Sequence, residues 1–167
     1  EAGMNSVTFM SPSKAFNMAG LTSSYSIISN EALSEKFHLH LEHSELNLGH
    51  VFAFNSVAAA YSHGTEWLDQ CLAYIQGNID YVDAFLKENA PKIKVIRPQA
   101  SFLVWLDCRE MGLSQEALND FFVDKAHLAL NDGIAFGKEG TGFMRLNVAS
   151  PRSVLEQAMK QLAEAYR

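Results

Sequence analysis

The sequence predicts a mixed chain of helices and strands that ends in a compact α+β unit, and three patterns indicate this class. Apolar residues recur at helical spacing between residues 68 and 86, which is typical of one long helix. Polar and apolar residues alternate over 143–148, as in a strand with one buried face. After Pro91 the predicted order is strand, strand, helix, strand, strand, helix, which fits a small sheet covered by helices.

Two strands and two helices are predicted before residue 64. The strands cover Val7–Met10 and Tyr25–Ile28, where short apolar or alternating runs are followed by loop residues. Asn30 stands where an N-cap belongs, so a helix is expected from the next residue to about Leu46. An alanine-rich segment predicts a second helix over Val51–His63.

The longest predicted helix follows Gly64. Its apolar residues lie three or four positions apart, which places them on one face. Pro91 cannot continue a helix, so the helix is expected to end near Asn89 and a domain boundary to follow. The residues of this apolar face are Leu68, Leu72, Ile75, Ile79, Val82 and Leu86.

Beyond the boundary, strands alternate with two capped helices. Ser114 is expected to cap one helix, and Ser150 the other, with Pro151 at its first position. The buried face of the last helix is predicted to be Leu155, Met159 and Leu162. The extended segments are expected at 94–97, 102–107, 128–130, 134–136 and 143–149.

Composition narrows the classes of partner. The chain has 167 residues, and 13 basic against 19 acidic residues give a net charge of −6. An acidic protein is a poor match for nucleic acid or an anionic membrane, so neither is expected as a partner.

Two cysteines indicate a reducing compartment, and the cytoplasm is the predicted location. The sequence shows no signal peptide and begins with Glu1 rather than Met, so we expect it to be cut from a longer chain.

Lys14 is the first candidate for chemistry. It ends the segment Ser11-Pro12-Ser13-Lys14, where a tight turn follows a strand. Such a turn aims hydroxyls and backbone N–H groups at a phosphate, while an amine held away from water becomes a nucleophile towards aldehydes. The alternative is a solvated lysine in a surface turn, because most lysines are exposed.

Arg145 is the second candidate. The alternation over 143–148 places Phe143, Arg145 and Asn147 on one face of the strand, opposite the face expected in the core. A guanidinium on an otherwise apolar strand needs an anion, and its planar fork matches a carboxylate. The alternative is a structural salt bridge to an acidic residue of the chain.

The remaining candidates are weaker. Four histidines between residues 38 and 50 do not share one helix face, so no metal site is predicted. Gly137, Gly140 and Gly142 do not form a dinucleotide motif and indicate a turn before the strand of Arg145.

These motifs resemble one known family. Residues 11–21 are similar to the lysine segment of the class I/II (fold type I) aminotransferases, which use pyridoxal 5'-phosphate (PLP), and most similar to the branch of the cystathionine β-lyases, or C–S lyases. Residues 58–82 resemble the interdomain helix of the family, residues 102–107 its first small-domain strand pair, and residues 142–147 the strand with its carboxylate-binding arginine.

The resemblance implies a fold of the α/β and α+β class, the C-terminal part of the PLP-dependent transferase fold. Residues 1–63 would end the large PLP-binding domain, 64–90 would form the interdomain helix, and 91–167 the small C-terminal domain. The full-length protein would be a homodimer. The half of the family fold that precedes the lysine is absent from the sequence, so the chain alone is expected to be inactive.

The resemblance also implies roles for single residues. Lys14 would form the internal aldimine with PLP and then act as the base at Cα of an amino acid substrate. Ser11 and Ser13 would lie near the cofactor phosphate, and Arg145 would hold the substrate α-carboxylate. Thr22 stands where many aminotransferases carry a phosphate-binding arginine, which favours a C–S β-lyase over an aminotransferase. The sequence also fits a non-catalytic domain for sensing or assembly, or a folding unit in which Lys14 is idle.

Overall fold

The computed structural model describes residues 5–167, which form two compact units. The first unit ends at Gln70 and the second begins at Cys71. The first contains a two-stranded sheet and two helices, and the second contains a four-stranded sheet with its covering helices. No helix among residues 5–167 is long and apolar enough to cross a membrane.

The two-stranded sheet of the first unit is antiparallel. Strand β1 covers Val7–Met10 and strand β2 covers Tyr25–Ile28, as predicted, and Val7 lies opposite Ile28. Lys14 lies in the connection between these two strands. The connection ends in a short 3-10 helix at Ala19–Leu21.

Helix α1 covers Glu31–His43 and helix α2 covers Val51–His63. The Asn30 side chain accepts a hydrogen bond from the Leu33 N–H at 3.0 Å, so the predicted N-cap is confirmed. The bounds of α2 are those predicted, but α1 ends three residues before Leu46.

A Schellman motif explains the early end of α1. Glu45 adopts a left-handed conformation with φ of 54°. The Leu46 N–H donates to the Leu41 carbonyl at 2.8 Å, and the Glu45 N–H donates to the Glu42 carbonyl at 3.0 Å. Glycine or asparagine usually occupies the left-handed position, so the sequence did not signal this stop.

The first unit has little core of its own. Among its described residues only Pro12 and Ala53 are buried, while Leu48 is 79% exposed and Leu46 is 68% exposed. Phe9, Phe52 and Phe54 are also more than half exposed. The apolar faces of this unit therefore remain uncovered within the described residues.

The second unit is built on an antiparallel sheet of four strands in the order β3-β4-β6-β5. The first helix of this unit is α3, which covers Thr65–Asn89 and belongs to the unit from Cys71 onwards. The order of strands and helices is the predicted one. The strands are β3 (Lys94–Ile96), β4 (Leu103–Asp107), β5 (Asn131–Asp132) and β6 (Phe143–Asn147), and the later helices are α4 (Gln115–Asp120) and α5 (Arg152–Tyr166).

One continuous core fills the second unit. Leu155, Met159 and Leu162 of α5 are buried, as predicted, and so are four of the six residues predicted on the apolar face of α3. Leu72 is an exception because it is 51% exposed. The other core positions include Val104 and Leu106 of β4, Met144 and Leu146 of β6, and Phe121 and Phe122 after α4.

Three local predictions differ from the structure. The segment Gly133–Phe136 is a 3-10 helix rather than a strand, because the Asp132 side chain accepts from the Ile134 N–H at 2.9 Å and starts a helical turn. The extended segment lies at Asn131–Asp132 instead of 128–130. Pro151, and not Ser150, is the N-cap of α5, because the Pro151 carbonyl accepts from the Val154 N–H at 3.0 Å.

Asn78 is a buried polar residue on α3 that the apolar pattern did not predict. Its Nδ2 donates to the carbonyls of Val148 at 2.9 Å and Ser150 at 3.0 Å, and its Oδ1 accepts from Arg152 Nε at 2.9 Å. The side chain is 0% exposed. These bonds tie α3 to the segment that links β6 with α5.

Replacing Asn78 with alanine should lower the free energy of unfolding by about 2–4 kcal/mol, because a buried and a partly buried carbonyl lose their donor. Gln76→Ala on the same helix is the control, since its hydrogen bond to Asp80 is exposed, and a loss below about 0.5 kcal/mol is expected. Urea unfolding followed by circular dichroism measures both. Equal losses would show that the buried network contributes nothing.

Candidate functional site

The turn that carries Lys14 is held by its backbone. The Phe16 N–H donates to the Pro12 carbonyl at 3.0 Å, and the Met18 N–H donates to the Ser13 carbonyl at 3.0 Å. Pro12 is buried, whereas the Lys14 side chain is exposed. Among residues 5–167 no carboxylate pairs with Lys14. The turn therefore presents a primary amine that no carboxylate of residues 5–167 neutralises.

An aromatic contact anchors the same turn. The Phe16 ring lies 5.7 Å from the Tyr61 ring in an edge-on arrangement and 6.3 Å from the Trp67 ring in a stacked one. Gly64 makes room for it, since a Cβ there would lie 2.6 Å from Phe16 Cε1. Phe16 thus packs two positions after Lys14 and fixes the backbone from which the amine projects.

Two serine hydroxyls precede the lysine. Ser11 Oγ lies 2.7 Å from the Ser23 carbonyl oxygen and 2.9 Å from Ser13 Oγ, and it accepts a hydrogen bond from the Ser13 N–H at 3.2 Å. A hydroxyl has one proton to donate, and a carbonyl can only accept, so the Ser11 proton goes to Ser23. The 2.9 Å contact between the two hydroxyls is then a hydrogen bond from Ser13 to Ser11, and the Ser13 proton is the one that can exchange this acceptor for an anion.

Arg145 lies on strand β6, where side chains alternate as predicted. Met144 and Leu146 point into the core, while Phe143 and Arg145 lie on the other face and are half-buried. Arg145 is directly opposite Trp105 of β4 on one side. It is opposite a residue of β5 on the other side. The sheet therefore places this guanidinium in the middle of its less buried face.

Neutral groups surround the Arg145 guanidinium. Its Nη2 donates to Asn131 Oδ1 at 3.0 Å, and its Cζ lies 4.4 Å from the centroid of the Phe136 ring. Its Nε is buried and has no hydrogen-bond partner in the described part of the chain. No carboxylate of residues 5–167 pairs with it, so the structure does not show the salt bridge that the strand pattern also allowed.

Arg109 provides a comparison in the same unit. Its guanidinium lies 4.8 Å above the Phe143 ring, but its Nε and Nη2 bind both oxygens of Asp107 at 2.9 and 2.7 Å. This arginine holds the pKa of the Asp107 carboxyl below its usual value. Arg109 is thus neutralised within the chain, whereas Arg145 has no carboxylate partner among residues 5–167 and has a buried Nε without an acceptor there.

Neither cysteine is part of these groups. Burial raises the pKa of the Cys108 thiol to about 12, so it remains protonated at neutral pH. Cys71 packs partly buried against the core of the second unit. No group of three or more potential metal ligands occurs within residues 5–167.

The predicted residues fall into two groups. Ser11, Ser13 and Lys14 lie in one turn of the first unit, and Arg145 lies in the second unit. The sequence patterns did not indicate Asn131 and Phe136, which contact Arg145. The aromatic residue before Gly137 was the available signal for Phe136, but no local pattern indicates that Asn131 lies opposite Arg145.

The fold and these two groups define the class of protein. Cystalysin from Treponema denticola, solved with pyridoxal 5'-phosphate, matches 98% of this chain with a TM-score of 0.90 and 31% identity, and the match covers 41% of cystalysin. The PLP-bound C–S lyase from Staphylococcus hominis, solved with L-cycloserine, matches 96% of this chain with a TM-score of 0.82 and 29% identity, over 41% of the lyase. The chain thus has the predicted PLP-dependent transferase fold, of which it forms the C-terminal part.

The sequence identifies the family. The chain belongs to the family described as aminotransferase class I and II, which it matches over residues 1–162. It is 38% identical over 160 residues to cystathionine beta-lyase PatB of Bacillus subtilis (strain 168). That match covers 96% of the chain and 41% of the relative, so the chain spans about two fifths of the length of the relatives it matches. The predicted family and its C–S lyase branch are confirmed.

Proposed function

We propose that the chain is part of a PLP-dependent C–S β-lyase that acts on amino acids with a thiol or thioether group, of which cystathionine is the test case. The observation that carries the proposal is the Arg145 guanidinium, which has a buried Nε without a partner and no carboxylate of the described chain beside it. Such a group fits the α-carboxylate of an amino acid. The names of the C–S lyase relatives support the reaction type.

The residues of the first unit fit the chemistry of PLP. PLP carries an aldehyde, which needs a primary amine, and a phosphate, which needs hydrogen-bond donors. The Lys14 amine has no carboxylate partner in the described part of the chain, and the Ser13 hydroxyl has a proton to donate. When bound, PLP supplies an electron sink that makes the proton on the substrate α-carbon easy to remove.

Lys14 is proposed to hold the cofactor and then to move the proton at the substrate α-carbon. An amine accepts a proton only when it is not already charged, and an adjacent carboxylate would keep it charged. The absence of a carboxylate beside Lys14 among the described residues therefore suits this role. The backbone turn and Phe16 hold its Cα in place.

Arg145 is proposed to bind the α-carboxylate and fix the orientation of the substrate. Its planar fork binds a carboxylate through two parallel hydrogen bonds, which restrains rotation as well as position. Elimination then requires the sulfur to leave from the β-carbon as a thiolate.

We also propose a domain organisation for the chain. Residues 1–63 belong to the large domain, residues 64–90 form the interdomain helix, and residues 91–167 form the small domain. The protein is proposed to be a cytoplasmic homodimer.

Transamination is the second candidate, and the family name favours it. Thr22, eight positions after Lys14, argues for the lyase because it offers no cation to a phosphate.

The full-length protein should be assayed with cystathionine, with and without 2-oxoglutarate. Pyruvate formed without the keto acid supports elimination, and strict dependence on the keto acid would support transamination instead. Absence of both reactions would favour a non-catalytic domain.

Ser13 and Ser11 should differ in their effect on cofactor binding. Ser13→Ala should raise the Kd for PLP about tenfold or more, because a hydrogen bond to a charged group is lost. It should leave the Tm of the cofactor-free protein unchanged. Ser11→Ala should lower that Tm by a few degrees, because its bond to the Ser23 carbonyl is part of the turn. PLP titration and thermal unfolding of the full-length protein measure both, and identical behaviour of the two variants would contradict this division.

A further inference from the structure

The carboxylate of Asp132 joins two elements of the second unit near Arg145. Its Oδ1 accepts from Gln115 Nε2 at 2.6 Å and from the Ile134 N–H at 2.9 Å, and its Oδ2 accepts from Asn119 Nδ2 at 2.6 Å. Asp132 is half-buried, and no cation of residues 5–167 pairs with it. Neutral donors from helix α4 and from the backbone therefore hold this carboxylate.

Gln115 also fixes the far end of the loop that follows Asp132. Its Oε1 accepts from the Gly142 N–H at 2.6 Å. Within the loop the backbone at Gly133 lies against the backbone at Gly140, since a Cβ on Gly133 would clash with the Gly140 carbonyl oxygen. Helix α4 therefore holds the loop between Asp132 and Gly142 at both of its ends. The contact between Gly133 and Gly140 closes the loop and leaves no room for a side chain at Gly133.

This loop and the residue before it carry both neighbours of Arg145. Asn131 precedes Asp132 directly, and Phe136 ends the 3-10 helix that Asp132 caps. Asn131 holds one nitrogen of the guanidinium, and Phe136 covers its face. The planar Arg145 guanidinium is held at one edge by Asn131 and on one face by Phe136. A displacement of either residue would therefore change its orientation.

We infer that Asp132 is a positioning residue for carboxylate recognition. It holds Asn131 and Phe136 where they orient Arg145, and it does so through Gln115 and Asn119 without contacting the ligand itself. The inference rests on the proposed role of Arg145 and adds the residue that sets its geometry. Helix α4 thereby becomes part of the support of the carboxylate site.

The test is a double-mutant cycle in the full-length protein with cystathionine as substrate. Asp132→Ala removes the acceptor of both hydrogen bonds from α4 and of the bond from the Ile134 N–H. We expect kcat/KM to fall about 10- to 100-fold, mainly through a higher KM, because a small displacement of a binding group is costly. In an Arg145→Ala background the same substitution should change kcat/KM less than about twofold, because Asp132 acts through Arg145.

Two further variants keep the test decisive. Asp132→Asn keeps an acceptor for Gln115 and, with the Asn119 amide rotated, a donor for Asn119, so it should retain most of kcat/KM. Asp124→Ala removes the same side chain from an exposed position and should have no effect. Equal losses in both Arg145 backgrounds, or no loss in either, would overturn the inference. An unchanged KM in Arg145→Ala alone would instead overturn the proposed role of Arg145.

Discussion

Replacing Lys14 with alanine should lower the turnover of cystathionine by the full-length protein about 10³-fold, the scale at which a positioned general base contributes. It should also abolish covalent attachment of PLP, because Lys14 supplies the amine. Lys14→Arg should be equally inactive, since a guanidinium remains protonated at all relevant pH values. Loss of activity in both variants would show that the neutral amine, and not the positive charge, is required.

Borohydride reduction of the PLP-loaded protein, followed by peptide mapping, locates the attachment. Modification confined to Lys14 is the expected result. Lys36→Ala is the matched control, because Lys36 is exposed on α1 of the same unit, and it should retain full activity. Scattered modification of many lysines, or a Lys14→Ala variant within tenfold of the parent, would contradict the assignment.

Replacing Arg145 with alanine should lower kcat/KM for cystathionine about 100- to 1000-fold, because the proposed cationic partner of the substrate carboxylate is removed. Most of the change should appear in KM. Arg109→Ala is the control, since Arg109 also lies over an aromatic ring but is paired with Asp107. It should change kcat/KM less than about threefold, on the scale of an exposed ion pair.

Stability should separate a functional arginine from a structural one. The Arg145 guanidinium makes one hydrogen bond to a neutral partner and has a buried Nε that is unpartnered within the described residues. Arg145→Met, with a side chain of similar length, should therefore leave the Tm unchanged or raise it while activity is lost. A Tm lower by more than about 5 °C, equal to roughly 1 kcal/mol for a unit of this size, would indicate a structural role.

Much of the fold follows from periodicity in the sequence. The bounds of α2 and the buried face of α5 were predicted, because apolar spacing determines which residues face a core. The end of α1 was not predicted, since Glu45 adopts a left-handed conformation without the residue type that usually signals it. Asn78 was likewise missed, because its partners lie on a segment distant in sequence.

The residues of the candidate site were proposed from the sequence only where the residue type itself indicates a chemical role. The motif around Lys14 and the alternation around Arg145 singled out these two residues, and their roles stay predictions. Asn131 and Asp132 carry no such signal. Their proximity to Arg145 arises from the pairing of β5 with β6 and from hydrogen bonds to α4, which are set by tertiary structure and not by local pattern.

The alternation along β6 also separates two kinds of substitution. Met144 and Leu146 fill the core, while Phe143 and Arg145 lie on the opposite face. With Arg145 in its proposed role, folding and ligand recognition would constrain neighbouring but separate positions of one five-residue strand. Substitutions on the face of Arg145 should then alter ligand recognition with little effect on the packing of the other face.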